Sequence, residues 1–441
     1  MRVSSRWPAP PPPITSPTEL PPQPARAPVK VLHVVTRFIA GAGGNTLLSV
    51  LGADRDRYEV WVAGAPGGRD ARPLWERAES HGVKTVKLRR FREVISPLDD
   101  LVVLLHLVRL IRRERFSVVH THSTKGGVLG RLAAWLCRTP VIVHTIHGSS
   151  THDFMSMGRR RAYLAIERAV RPITDAFLAV APEVAREAVE KRLAPPGGVS
   201  VVPSAVELDE TPVGADPRTR LELGIPADAP LVGTVGRLDH QKAPLDFIRM
   251  AALVAGAHRG ACFVMVGDGP LLDAARDEAR RLGVDVTFTG FRPDAARIAA
   301  GFDVFVISSL YEGLGRALTE ALASERPVAA TAVNGVIDLV EHGSTGLLAP
   351  PADPLSLARN IVWLLEHPAQ AHRMGEAGAA RVRTLFQPAV MCALIEQTYA
   401  RLLGLPEPAP PTGRRAATGG RVHGSQTGTA GAGAFTALFG P

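Results

Sequence analysis

Two carboxylates eight positions apart could bind a polyhydroxyl or anionic ligand at the start of a predicted helix. Glu312 follows a short apolar run that is typical of a buried strand, and Glu320 lies in the helix predicted over 316–323. Gly313 and Gly315 would let the intervening backbone approach a ligand closely, and the helix start would direct unpaired amide hydrogens at an anion. Two ordinary exposed glutamates would show the same spacing, so the pair alone assigns no function.

A pair of cations follows another predicted strand. Arg237 and Lys242 are five positions apart, directly after an apolar run and Gly236. Two cations at this distance could both reach one diphosphate. An exposed helix start with scattered charges gives the same pattern, and that alternative stays open.

Polar side chains follow two predicted strands in the first half of the chain. One strand leads into His122, Ser123 and Lys125, and the other ends in His147 and Gly148. Ligands of doubly wound α/β domains collect at the carboxyl ends of the strands, so both segments are candidate sites. His147 is preferred because Gly148 frees the backbone beside it. Packing or turn formation is the alternative for any single histidine of this kind.

Glycines also follow the first predicted strand. Gly43 and Gly44 belong to a glycine loop that precedes a helix predicted over 47–52. The spacing matches neither the dinucleotide fingerprint nor the P-loop. Contact with a phosphate or substrate and a simple tight turn both fit the pattern.

The elements that must position these residues alternate along the chain in two series. Short apolar runs followed by helical stretches predict an α/β fold with parallel sheets. We assign one domain to 29–205 and the other to 206–387, since a polar stretch rich in Pro and Gly separates the series. A helix predicted over 388–404 should pack back on the body. The Pro-rich arm, 1–28, and the low-complexity tail, 405–441, are predicted to be disordered.

The net charge of +9 conceals an asymmetry between the two halves of the 441-residue chain. Residues 30–205 contain 27 Lys and Arg against 16 Asp and Glu, whereas residues 206–404 contain 18 against 24. A basic N-terminal half suits phosphates or anionic lipid headgroups, although a solvated Arg-rich surface gives the same count. We expect no nucleic-acid partner.

The composition indicates neither a membrane span nor a secretion signal. No run reaches the roughly 18 apolar residues that a span requires, and the N-terminus is Pro-rich instead of apolar. The three cysteines, Cys137, Cys262 and Cys392, lie far apart and show neither metal-ligand spacing nor a disulfide framework. We therefore expect a cytoplasmic protein without a metal site, one whose contact with the inner face of the membrane is at most peripheral.

Taken together, these motifs resemble glycosyltransferase family 4, the retaining enzymes of GT-B fold, over about 29–404. The resemblance is specific in the C-terminal half, where short motifs occur in the order and approximate spacing of the family. These motifs are Gly236-Arg237-Leu238 with Lys242, Gly267-Asp268-Gly269-Pro270, Gly290-Phe291, Glu312-Gly313-Leu314 with Glu320, Pro327-Val328-Ala329-Ala330-Thr331 and Gly346-Leu347-Leu348.

The resemblance implies two Rossmann-like, doubly wound parallel-sheet domains that face each other across a cleft. The C-terminal domain would hold a nucleotide-sugar donor, and the N-terminal domain would hold the acceptor. No cofactor or metal is implied. In family members, retention is commonly explained by a front-face displacement in which the leaving phosphate helps to deprotonate the acceptor.

The resemblance also implies a role for each candidate residue. Arg237, Lys242 and Gly44 would bind the donor diphosphate, and Glu320 would bind the ribose. Glu312 and His147 would act at the transferred sugar. The remaining assignments are Gly313, Leu314 and Gly315 beside the sugar or the β-phosphate, Gly267, Gly290 and Phe291 on the nucleobase side, and Gly43, His122, Ser123 and Lys125 on the acceptor side.

The segments 120–125 and 144–148 look like the subgroup that builds lipid-linked glycans or exopolysaccharide repeats. With the Arg-rich end of a helix predicted over 97–115, they favour a cell-surface polysaccharide or glycolipid product and a peripheral membrane contact. Departures from the family pattern at Asn45-Thr46 leave the acceptor contacts open. Two alternatives stand beside the transferase: a non-hydrolysing UDP-sugar 2-epimerase, which shares the fold, and a nucleotide-sugar-binding protein without turnover.

Overall fold

The computed structural model describes residues 27–39, 41–68, 71–148, 151, 155–207, 212 and 217–408. The predicted N-terminal arm and C-terminal tail lie outside these ranges, apart from residues 27–28 and 405–408.

The first half of the chain forms a seven-stranded parallel sheet in the order β3-β2-β1-β4-β5-β6-β7. The central strands are buried, as a sheet covered by helices on both faces requires, and buried histidines and threonines interrupt their apolar runs. Its strands are β1 (Val29–Arg37), β2 (Tyr58–Ala65), β3 (Lys84–Lys87), β4 (Val118–His122), β5 (Val141–Ile146), β6 (Ala176–Ala179) and β7 (Val199–Val201). Its helices are α1 (Ala42–Leu51), α2 (Arg72–Ser80), α3 (Pro97–Glu114), α4 (Thr124–Leu136), α5 (Met157–Ala169) and α6 (Pro182–Glu190).

The second half forms a six-stranded parallel sheet in the order β10-β9-β8-β11-β12-β13. Its strands are β8 (Leu231–Val235), β9 (Cys262–Val266), β10 (Val286–Gly290), β11 (Val304–Ile307), β12 (Val328–Thr331) and β13 (Leu347–Ala349). Its helices are α7 (Pro217–Glu222), α8 (Pro244–Ala257), α9 (Leu272–Leu282), α10 (Ala295–Ala300), α11 (Arg316–Ala323), α12 (Asn334–Leu339), α13 (Pro354–Glu366) and α14 (Pro368–Leu385).

The two sheets confirm the predicted α/β class and the two Rossmann-like, doubly wound domains. The strand order reverses between β1 and β4 in the first sheet and between β8 and β11 in the second. Each reversal opens a crevice beyond the carboxyl ends of the two strands, because the connecting helices leave toward opposite faces of the sheet.

The last helix, α15 (Pro388–Leu403), returns from the second half to the first sheet. Met391, Cys392, Ile395 and Tyr399 belong to the same hydrophobic cluster as side chains of β1, β2 and α1. In addition, the Asp54 amide donates to Glu396 Oε1 at 2.7 Å. The C-terminal helix is thus part of the N-terminal core.

Direct contacts also join the two halves. One hydrophobic cluster contains side chains of β5 and β6 together with side chains of β8, β9 and β11. Helix α6 contacts α12, where the Glu183 amide donates to Asp338 Oδ2 at 3.0 Å and Asn334 Nδ2 donates to Glu187 Oε2 at 3.1 Å. These contacts fix the orientation of one sheet relative to the other.

One local prediction is wrong. Helix α1 begins at Ala42 and not at residue 47, so Gly43 and Gly44 belong to its first turn and not to a loop. Gly41, with a φ of 60°, makes the turn that precedes the helix. The α1 helix can start this early because Gly43 lets its first turn lie against the main chain of Phe38.

In the described part of the chain, no helix has both the length and the hydropathy that crossing a bilayer requires.

Candidate functional site

The predicted site residues follow strands on both sides of the two crevices. Gly43 and Gly44 follow β1 and His122 ends β4, which are the two strands at the reversal of the first sheet. Lys242 follows β8 and Glu312 follows β11, at the reversal of the second sheet. The topology therefore gathers residues that are distant in sequence at two ligand-binding positions.

Lys242 and Glu312 form a direct ion pair. Lys242 Nζ lies 2.5 Å from Glu312 Oε1, and Ser309 Oγ donates to the same oxygen at 2.7 Å. The second carboxylate oxygen accepts a longer bond from Gln241 Nε2, at 3.4 Å. Glu312 is only 5% exposed, and the ion pair and hydrogen bonds offset the free-energy cost of burying its carboxylate. Residues that the sequence assigned to the diphosphate and to the sugar are thus neighbours.

Arg237 lies at the mouth of this site and pairs with Asp239. Its Nε donates to Asp239 Oδ2 at 2.6 Å, and its side chain is 57% exposed. The other oxygen of Asp239 accepts from the Lys242 amide at 3.2 Å. Asp239 therefore holds both cationic residues of the segment in place, and the guanidinium remains accessible from solvent.

Arg316 is a residue that the sequence reasoning missed. It opens α11, and its Nε donates to Glu320 Oε1 at 2.8 Å. Its guanidinium reaches the other domain, where a Cβ at Gly44 would overlap it. The sequence did contain a signal for this residue. Arg316 lies one helical turn before Glu320, and residues four apart on a helix face each other. Arg316 thus connects the predicted ribose-binding carboxylate with the first turn of α1.

The turn at Gly313 forms a close backbone contact between the two domains. A Cβ on Gly313 would overlap the carbonyl oxygen of His147, and a Cβ on Gly335 would overlap the carbonyl oxygen of Gly313. Gly315 is the N-cap of α11 and lies in the left-handed region, with a φ of 86°, which glycine adopts without strain. Leu314 points the other way and is 6% exposed in the core. Backbone closely approaches backbone here, which explains the need for glycine.

His147 and His122 lie side by side below this turn. His122 Nδ1 and His147 Nε2 are 3.0 Å apart. Burial lowers the pKa of His147 to about 4 and lowers the pKa of His122 well below its ordinary value of 6.5. Both rings are therefore neutral near pH 7, and each can offer one N–H and one lone pair. Neutral imidazole suits hydrogen bonding to a sugar hydroxyl better than protonation of a leaving group.

The other acceptor-side candidates divide into two groups. Ser123 has a φ of 59°, and its hydroxyl lies 3.0 Å from Thr36 Oγ1 at the end of β1, so it belongs to the crevice. Lys125 turns away: its Nζ donates to the carbonyl of Val94 at 2.6 Å and pairs with Asp100. Lys125 thus anchors the start of α3, and the structure does not bring it to His147.

The three residues assigned to the nucleobase lie together at the ends of β9 and β10. The Gly267 amide donates to the carbonyl of Gly290 at 2.9 Å, and a Cβ on Gly267, whose φ is 142°, would overlap the carbonyl oxygen of Gly236. Phe291 is 61% exposed, so its ring is accessible to a planar ligand.

Within the described residues, one group of three histidines is close enough together to hold a metal ion. The ligand atoms of His33, His120 and His122 lie within 4.8 Å of one another, and all three side chains are buried. The group lies among β1 and β4, behind His147. No residue of the Lys242–Glu312 pair belongs to it.

Two protein-family models match the chain. The model of Glycosyltransferase Family 4 matches residues 45–210, and the model described as Glycosyl transferases group 1 matches residues 229–367.

Similar curated proteins are named glycosyltransferases. The 2-deoxystreptamine N-acetyl-D-glucosaminyltransferase of Streptomyces fradiae is 34% identical over 315 residues, covering 64% of this chain and 73% of that protein. The UDP-Gal:alpha-D-GlcNAc-diphosphoundecaprenol alpha-1,3-galactosyltransferase of Escherichia coli is 30% identical over 261 residues, covering 58% of this chain and 67% of that protein.

Among solved structures, Anabaena HepE in complex with UDP and glucose is similar to this chain with a TM-score of 0.72 at 20% identity. The similarity covers 85% of this chain and 100% of the HepE chain. It shows the fold, GT-B, in which two Rossmann-like domains face each other.

Proposed function

Because the chain belongs to glycosyltransferase family 4, we propose that it transfers a sugar, with retention of configuration, from a UDP-linked donor to a lipid-linked glycan acceptor. The chain is a GT-B glycosyltransferase; the donor, the acceptor and the stereochemistry are the proposed part. The E. coli relative is named for UDP-Gal and a diphosphoundecaprenol-linked acceptor, which supports both the donor and the acceptor. The UDP in the HepE structure supports the choice of donor.

The observation that carries the proposal is the ion pair between Lys242 and Glu312 at the reversal of the second sheet. The pair lies beside the glycine turn that precedes α11. Glu312 offers hydrogen-bond acceptors to sugar hydroxyls, and Lys242 offers a cation to a phosphate. Lys242 and Arg237 would bind the diphosphate as negative charge builds on it during departure. Glu320 would accept from the ribose hydroxyls, beside Arg316.

In the proposed reaction, the bond between the anomeric carbon and the phosphate oxygen breaks while the acceptor hydroxyl attacks the same face. The leaving phosphate takes the hydroxyl proton, so that charge and atoms balance without a protein base. Glu312 and neutral His147 would bind hydroxyls of the transferred sugar and hold the anomeric carbon in position. The first-turn amide of α1 at Gly44 would contact the donor diphosphate, and Gly43 would face the acceptor.

The test is a panel of UDP-, GDP- and ADP-sugars, each incubated with and without an undecaprenol-diphosphate-linked sugar, with the products identified by mass spectrometry and NMR. We expect a sugar to be transferred from a UDP-sugar only when the acceptor is present. The product should have the same anomeric configuration as the donor. Isomerised donor in the absence of any acceptor would instead establish the epimerase, and binding without turnover on the whole panel would contradict an enzyme.

We further propose that α3 contacts the surface of an anionic membrane. Leu98, Leu101 and Leu105 recur at helical spacing and are 78%, 51% and 59% exposed, and the exposed side chains of Arg109 and Arg112 continue the same helix. An apolar stripe beside arginines is the pattern of a helix that lies in the headgroup region. A peripheral location would bring the cleft to a lipid-linked acceptor.

Vesicle sedimentation tests the membrane contact. The protein should sediment with vesicles containing phosphatidylglycerol and should remain in solution with pure phosphatidylcholine. Replacing Leu98, Leu101 and Leu105 with Ser should abolish sedimentation, whereas the matched change of Leu253 and Leu355, which are exposed on the other domain, should not. Equal binding by both variants would contradict the role of α3.

A further inference from the structure

A chain of hydrogen bonds connects His147 with the C-terminal helix. His147 Nε2 contacts His122 Nδ1 at 3.0 Å, and His122 Nε2 contacts His33 Nδ1 at 2.9 Å. His33 Nε2 lies 3.5 Å from the hydroxyl of Tyr399, which lies 2.5 Å from His120 Nδ1. These side chains lie on β1, on β4, directly after β5 and on α15, so the hydrogen-bonded chain exists only in the folded protein.

The hydrogen-bonded chain ends at Thr145, because His120 Nε2 lies 2.6 Å from Thr145 Oγ1. His33, His120 and Tyr399 are each at most 3% exposed, and His122 is 1% exposed. Burial lowers the pKa of His33 to about 3 and the pKa of His120 well below 6.5, and it raises the pKa of Tyr399. All of these groups are therefore uncharged near pH 7.

Because every member is uncharged, the hydrogen-bonded chain has only two arrangements in which each hydrogen bond joins one donor to one acceptor. A neutral imidazole has one N–H and one lone pair, and a phenol donates one hydrogen while it accepts another. If Tyr399 donates to His120, then His33, His122 and His147 each carry the proton on Nε2, and His147 Nδ1 is an acceptor. If Tyr399 donates to His33, every proton is on Nδ1, and His147 Nδ1 is a donor.

We propose that Tyr399 is a positioning residue for the transfer reaction: through His33 and His122, the direction in which its hydroxyl donates sets the tautomer of His147, and the hydrogen bonds hold the ring in place. In the part of the protein that the structure describes, Nε2 is the ring nitrogen of His147 that a side chain engages, and the residue is only partly buried. The hydrogen bond at one ring nitrogen decides what the other nitrogen offers to a ligand. Docking of α15 completes the chain.

The main alternative for these histidines is a metal ion. His33, His120 and His122 approach one another closely enough to suggest one. However, all six ring nitrogens of these histidines already have a hydrogen-bond partner in the protein, namely one another, His147, Tyr399 or Thr145. A metal would need three lone pairs that these bonds use, so the geometry favours the hydrogen-bonded chain.

Histidine tautomers can be read from the ¹⁵N shifts of labelled protein, a measurement that does not depend on turnover. In the wild type we expect one dominant tautomer at His147. Tyr399→Phe keeps the ring and removes the hydroxyl, and it should produce a mixture of tautomers at His33, His122 and His147. Tyr58→Phe is the matched control, since the Tyr58 hydroxyl contacts the Glu396 carbonyl in the same core but lies off the chain.

Kinetics provide the second readout, which rests on the proposed transferase function. Tyr399→Phe should lower kcat about tenfold with the KM for the donor changed less than about twofold, and Tyr58→Phe should change neither. An unchanged His147 tautomer in Tyr399→Phe would overturn the proposal, and so would stoichiometric zinc in protein purified without chelator. A tautomer change together with absence of transfer in the wild type would support the chain and overturn only the transferase assignment.

Discussion

Gly313 of the second domain lies so close to the carbonyl oxygen of His147 in the first domain that no Cβ fits between them. The contact joins the turn after β11 to the end of β5, and it sets the distance between the two halves of the candidate site. Gly335 closes the other side of Gly313 in the same way. Three backbone segments therefore meet where the transferred sugar is proposed to bind.

Replacing Gly313 with Ala should separate these segments. A Cβ would overlap backbone that cannot move without opening the cleft, and we expect kcat/KM to fall at least tenfold, a barrier change of about 1.4 kcal/mol or more. The matched control is Gly256→Ala in α8, where no atom lies within 4 Å of the new Cβ and the helix should gain up to about 1 kcal/mol. Wild-type kinetics in Gly313→Ala would contradict the contact.

Lys242 and Glu312 should differ in how their loss affects stability and activity. Lys242→Met leaves the carboxylate of Glu312 buried without its cation, which should lower the free energy of unfolding by about 3 kcal/mol. Lys242→Met/Glu312→Gln should recover most of that loss, because no charge is then buried. Turnover should stay at least about tenfold below wild type in Lys242→Ala, Glu312→Ala and the double variant.

Urea unfolding and steady-state kinetics on the same preparations measure both effects. A double variant that recovers turnover together with stability would show that the pair is structural, with no role in donor binding.

Gly43 and Gly44 should respond differently to alanine although they are neighbours. A Cβ on Gly43 would lie 2.8 Å from the backbone carbon of Phe38, so Gly43→Ala should lower the melting temperature. The three atoms nearest to a Cβ on Gly44 all belong to the end of the Arg316 side chain, which can shift, so Gly44→Ala should keep the melting temperature and raise the KM for the donor. In an Arg316→Gln background, Gly44→Ala should add little, because the two residues act through one contact. Additive effects would exclude that coupling.

Buried histidines should make the folded protein sensitive to acid. Burial lowers the pKa of five histidines below the ordinary 6.5, to about 3 for His33 and about 4 for His147. The other three are His120, His122 and His144. Below pH 6.5 the unfolded chain binds protons that the folded chain does not, so stability is complete above that pH and falls as the pH decreases. At about pH 5.5 each histidine that stays neutral in the folded protein should lower the free energy of unfolding by roughly 1 kcal/mol.

Urea unfolding at about pH 7.5 and 5.5 measures this loss. His144→Gln should reduce the pH dependence by one proton. A stability that is equal at both pH values would contradict neutral burial of the histidines.

The sequence by itself determined the family and the class of fold. Alternation of apolar runs with helical stretches is a local property, and it predicted the two parallel-sheet domains that the structure contains. The family predicted from ordered short motifs is confirmed by the family models and relatives. Motif residues such as Glu312, Lys242 and His147 were recognisable because their chemistry is carried by residue type and by position after a strand. Their roles in donor and acceptor binding stay predictions.

Only the tertiary structure decided which of these residues meet. The pairing of Lys242 with Glu312 depends on β8 and β11 being neighbours, and strand order is not encoded in any local pattern. Arg316 was missed because its partner Gly44 lies in the other domain, and Lys125 was assigned to the acceptor although it anchors α3. Tyr399 gave no signal at all, since the last helix returns to the first sheet and brings it to His33, which is 366 residues away in the sequence.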